Sequence, residues 1–125
     1  MNLKNIFKKF VLLDLFLLIL GVSSLFFENE TIISFNESVD PMSDMHGLVV
    51  LLYLIAYLSC LFFLYKFKKV GKQSYLFLFI FGVLLSLLMG DSAQGPLSYV
   101  VDGLGWANAG VILSLLYFSP IKKEF

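Results

Sequence analysis

The sequence contains no arginine. It therefore lacks the planar fork that grips phosphate in two places, and nucleic acid is not an expected partner. Its single cysteine, Cys60, cannot close a disulfide within the chain or form a CxxC pair, and its apolar setting marks it as a small packing residue. The only histidine, His46, stands with Asp40, Asp44 and Asp91 in no metal-binding spacing. No metal and no cofactor is expected. A Ser-His-Asp elbow, an HExxH pair, a phosphate loop and a CxxCH site are all missing, so the reading is non-enzymatic. Charge is scarce too, at 14% of the 125 residues, where about 25% is usual in soluble domains. Hydrophobic residues reach 59%. A soluble chain this short could not hide that much apolar surface; lipid is the solvent that suits it.

What is present is four apolar runs, over residues 10–27, 47–65, 75–90 and 97–118. A helix rises about 1.5 Å per residue, so about twenty residues cross an apolar core of about 30 Å. The third run is short and must borrow Gln73 and Ser74, or Asp91 and Ser92, at its ends. The alternation of a membrane barrel is absent. The expected fold is all-α: one membrane domain over residues 1–125, a four-helix transmembrane bundle with a tight outer hairpin between helices 3 and 4.

The lysines set a direction. Lys4, Lys8 and Lys9 precede the first run, Lys66, Lys68, Lys69 and Lys72 separate the second from the third, and Lys122 and Lys123 follow the fourth. Glu28, Glu30, Glu37, Asp40, Asp44 and Asp91 fall on the opposite side. The positive-inside rule then predicts both termini in the cytoplasm, and the expected setting is a bacterial cytoplasmic membrane. In the long outer loop, TIISFNES alternates weakly and predicts an interfacial segment or a short strand. Pro41 reads as a turn, with Ser43 or Asp44 capping the second span.

Two stripes of small residues read as packing faces. Gly82, Ser86 and Gly90 recur every four residues in the third run, and Gly103, Ala107, Gly110 and Ser114 recur at helical spacing in the fourth. The short loop DSAQGP joins these runs, which predicts an antiparallel hairpin packed stripe against stripe. Two aspartates lie inside spans, where a charge at the centre costs about 2.5–3.5 kcal/mol on insertion scales. Asp14 reads as shallow, with Lys8, Lys9 or Ser114 as partner. Asp102 reads as the deeper group. At its level, depth counting brings Ser23, Ser24, Tyr53 and Ser86, with Trp106 one turn on, and Asp91, Gln94 and His46 above; Asn108 points about 240° away. This group could cap a helix break, bind an ion, proton or small polar solute, or hold a quinone or lipid headgroup through Trp106, Tyr99 and His46.

No family pattern is matched. Small multidrug exporters carry a first-span glutamate, for which Asp14 is the nearest substitute, and fluoride channels rely on an arginine that this chain lacks. The leading functional expectation is a non-enzymatic accessory or interaction subunit, docking through its helices on another membrane protein or a second copy. A small transporter or channel using Asp102 is the alternative, and a quinone- or lipid-binding protein the third.

Overall fold

Local chemistry starts the first helix early. The Asn2 side chain accepts the Lys4 N–H at 3.1 Å, capping α1, Leu3–Ser24, ahead of its lysines. A computed structural model describes residues 2–39, 44–88 and 91–125, with residues 44–46 described by backbone alone. A 3-10 turn, Leu25–Phe27, ends α1 and leads to α2, Glu30–Val39. The Asn29 side chain caps α2 by accepting the Ile32 N–H at 3.0 Å. Then come α3, Asp44–Tyr65, α4, Lys69–Leu88, and α5, Pro96–Phe118. Pro96 opens α5, where a missing N–H does no harm.

Among the described residues, α1 with its turn, α3, α4 and α5 are long and apolar enough to cross a membrane. They form a four-helix bundle. Large apolar side chains cover its outside: Phe77 is 67% exposed, Leu88 82% and Phe118 89%. A soluble protein does not present such a surface, so lipid covers it and the chain is a small multi-pass membrane protein. The third span is longer than hydropathy implied. It starts at Lys69 rather than Tyr75, because Lys69 and Lys72 can extend to an interface while their backbone stays helical. Outside the spans, α2 is a helix, not a strand. Ile33, Phe35 and Val39 lie exposed on it beside Glu30 and Glu37, while Ile32 is half-buried near Gly95.

The helices pair differently from the expected stripe-to-stripe hairpin. The main partners are α1 with α5 and α3 with α4, while α4 and α5 touch little. Gly103 and Gly110 have open space where a Cβ would go, and Ala107 and Ser114 are exposed beside them. That stripe therefore points away from the bundle. Gly82 does allow close approach, but to α3: a Cβ there would lie 2.6 Å from Tyr53 Oη. Ser86 is exposed and donates to Val83 O of its own helix at 2.8 Å. Gly90 lies outside the described residues, as do Asp40, Pro41 and Ser43. The physical reason for the difference is that buried polar side chains, described below, tie α1 to its neighbours more strongly than small residues alone could.

Tight packing occupies one half of the bundle. Phe7 and Val11 of α1, Cys60, Leu61 and Leu64 of α3, Tyr75 and Leu78 of α4, and Ala109, Ile112 and Leu116 of α5 form its core. All lie toward the lysine-bearing ends. There the Phe7 ring packs 5.6 Å from both Phe67 and Phe125, and Lys4 meets Glu124 at 2.6 Å. The α3–α4 turn is equally close. Phe67 takes a positive φ of 53°, and a Cβ at Gly71 would fall 2.7 Å from Leu64 N. At the opposite, acidic end the Asn36 side chain clasps Ala93. It donates to the carbonyl at 3.0 Å and accepts from the N–H at 2.8 Å. Ser98 of α5 joins this end to α1, with its hydroxyl 3.0 Å from Glu28 Oε1 and 2.9 Å from Ser24 Oγ.

Candidate functional site: a cleft floored by Asp14

Asp14 is the buried carboxylate of the bundle. It lies eleven residues from the start of α1 and ten from its end, at the middle of the helix rather than near a surface. Only 4% of it is exposed. A desolvated carboxylate must find donors, and each of the other three spanning helices supplies one. Tyr57 of α3 donates its hydroxyl to Oδ2 at 2.5 Å, and Tyr75 of α4 donates to the same oxygen at 3.1 Å. Asn108 of α5 donates Nδ2 to Oδ1 at 2.7 Å and to Phe10 O at 3.1 Å. The two phenol oxygens are 3.3 Å apart, and the Tyr57 and Tyr75 rings lie 5.8 Å apart, centroid to centroid. Asn108 Oδ1 is buried and has no partner.

This corrects the expectation for Asp14. Tyr57, Tyr75 and Asn108 hydrogen-bond to it, and neither Lys8 nor Ser114 is placed there. Lys8 places its ammonium 4.8 Å from the Tyr65 ring instead, and Ser114 is exposed. Depth counted from Lys9 was misleading, because the helix continues through the lysines to Leu3.

Above Asp14, toward the acidic end, the packing opens into a cleft of about 390 Å³. Asp14, Leu17, Leu18, Gly21, Val22 and Leu25 line it from α1 and the turn that follows. Tyr53 and Tyr57 line it from α3, Phe79 from α4, and Val101, Asp102, Gly105, Trp106 and Ala109 from α5. From Asp14 to Leu25 is eleven residues, about 16 Å along a helix. Tyr53 and Tyr57 stack with centroids 6.0 Å apart, while Trp106 meets Phe79 edge-on at 5.5 Å. Tyr53 donates its hydroxyl to Leu78 O at 3.0 Å.

Three of the residues grouped by depth do meet here: Asp102, Trp106 and Tyr53 all line the cleft. Asp102 is an exposed group at the cleft wall, bonded by Gln94 Nε2 at 2.5 Å. It caps no break, since α5 is continuous from Pro96 to Phe118. Ser86 and Asp91 do not line the cleft, and Ser23 turns back to Ile19 O. The side chain of His46 lies outside the described residues. Tyr57, Tyr75 and Asn108 were the residues that sequence reasoning missed. A search for donors at the depth of Asp14, rather than of Asp102, would have found them.

No group of three or more possible metal ligands occurs among the described residues. The fold and cleft define a class: a small polytopic membrane protein with a polar node inside its helical bundle. Beyond that class, the chain matches no protein-family model, no curated relative and no solved structure.

Proposed function

We propose that this protein is a small, non-enzymatic transporter or channel whose cleft brings an ion, proton or small solute to Asp14. The observation that carries the reading is the position of that carboxylate. It lies at mid-bundle, bonded to all three neighbouring helices, at the inner end of a cleft of about 390 Å³. Ionisable side chains inside a span that face the bundle interior or a cavity commonly mark ion, proton or substrate pathways. The nine lysines support placing both termini in the cytoplasm, which turns the cleft toward the outside. A helical multi-pass form fits a bacterial cytoplasmic membrane, since outer-membrane spans are barrels. The test is flux in liposomes, with proton, sodium and potassium gradients applied in turn. Wild-type flux that disappears in Asp14→Asn supports the reading. A wild-type protein that passes none of them, with or without an added solute, removes it.

A second reading has its own observation. The stripe of Gly103, Ala107, Gly110 and Ser114 faces outward on α5, with open space at both glycines. In lipid, such a face favours close approach of another helix, which supports an interaction subunit docking on a membrane protein or a second copy. Crosslinking from a cysteine placed at Ala107 in native membranes tests it. A single uncrosslinked species counts against this reading and leaves the first untouched.

A further inference from the structure

We propose that the ligand class of the cleft is an organic cation with an apolar, aromatic-faced body, drawn first to Asp102 and then toward Asp14. The proposal rests on the cleft reading above and goes further by naming the chemistry that fits. Among the described residues lining the cleft there are two carboxylates and no lysine, arginine or histidine. An anion would meet only like charge there, and a neutral apolar molecule would displace water from the carboxylates without compensating them. A small inorganic ion needs a shell of oxygens, which walls made largely of Leu, Val, Phe and Trp do not offer.

A cation with a greasy body satisfies both halves of the lining. The faces of Tyr53, Tyr57 and Trp106 attract positive charge, and do so more strongly out of water. The volume of about 390 Å³ falls in the small-molecule range of about 300–1,000 Å³. Acceptor capacity is also left over. An ionised carboxylate offers about four lone-pair sites. Asp14 uses three of them, and Asp102 accepts one bond from Gln94. Asp102 stands level with Gly21, where a Cβ would be 3.9 Å from its Oδ1. Gly21 is seven residues from Asp14, so the two carboxylates are stations about 10 Å apart along the bundle.

Trp106 is the only tryptophan and lines the cleft, so its emission reports occupancy directly. The experiment titrates purified full-length protein in mild detergent with tetraphenylphosphonium. A parallel titration uses tetraphenylborate, of the same shape and opposite charge, and protein-free micelles are subtracted from both. The expected result is a saturable change with the phosphonium, at least tenfold tighter than with the borate. It should weaken tenfold or more in Asp102→Asn, a change at an exposed position that leaves the helical circular dichroism unaltered. Asp14→Asn should weaken it as well. Equal affinity for the two ions, or unchanged phosphonium binding in both variants, overturns the cation assignment but leaves a ligand-binding cleft. Saturable binding of neither ion also overturns it. The liposome flux measurements, made with inorganic gradients and with added solute, then decide the broader reading on their own.

Discussion

Replacing Asp14 by alanine should destabilise the bundle by about 2–4 kcal/mol. Three donors converge on this carboxylate, from Tyr57 at 2.5 Å, Asn108 at 2.7 Å and Tyr75 at 3.1 Å. Were all three stranded, at about 1–3 kcal/mol each, the loss would reach about 3–9 kcal/mol. The geometry reduces that. Asn108 Nδ2 keeps Phe10 O at 3.1 Å, and the phenol oxygens of Tyr57 and Tyr75, 3.3 Å apart, can bond each other. One phenol hydrogen is left without an acceptor, beside a small void, which gives about 2–4 kcal/mol. A lower bound comes from hydrogen bonds measured inside membranes, about 0.6 kcal/mol on average, or about 2 kcal/mol for three. The assay is unfolding in mixed micelles with rising dodecyl sulfate, followed by circular dichroism, on Asp14→Ala, Tyr75→Phe and the double variant. The cycle should show coupling of about 1 kcal/mol between the two sites. A loss below about 0.5 kcal/mol for Asp14→Ala, or strictly additive single losses, would refute the claim that this carboxylate joins the helices.

Two glycines should respond oppositely to alanine. Gly71→Ala should destabilise by about 2–3 kcal/mol, because its Cβ would meet backbone at 2.7 Å and 2.8 Å, whereas Gly103→Ala, with open space, should be neutral or stabilise by up to about 1 kcal/mol in the same assay. Asn36→Ala removes both bonds to Ala93, so amide exchange in α2 should rise severalfold while exchange in α1 stays unchanged. Lys4→Ala should cost less than about 0.5 kcal/mol in dodecyl sulfate unfolding, since both partners of the Lys4–Glu124 pair are well exposed.

The four spans were legible because hydropathy needs only composition and length. The site was legible in part. Asp102, Trp106 and Tyr53 share a depth, and depth can be counted along a helix. Which face of a span looks inward cannot be read the same way. In α3 almost every position is apolar, so no hydrophobic face distinguishes the side that meets α4 from the side that meets lipid. The burial of the two aspartates was therefore misjudged: Asp14 is the buried one and Asp102 the exposed one. Asp14 was referred to nearby lysines in the sequence, although its donors sit 43, 61 and 94 residues away. The small-residue stripe misled for a related reason. Gly103 and Gly110 permit close approach but do not require it, while an unpaired carboxylate in lipid requires its donors.

Because the main apolar core lies toward the lysine-bearing ends while the cleft opens toward the acidic end, the carboxylate node sits where the packing between the two helix pairs gives way to open space. Among the described residues, Asp14 is the one side chain that hydrogen bonds tie to all of the other three spans. The ties from Tyr57 and Tyr75 cross between the pairs, whereas the tie from Asn108 lies within the α1–α5 pair. On the proposed transport reading, a ligand reaching Asp14 would act on the bonds that join the pairs, about 16 Å from the cleft's far lining at Leu25.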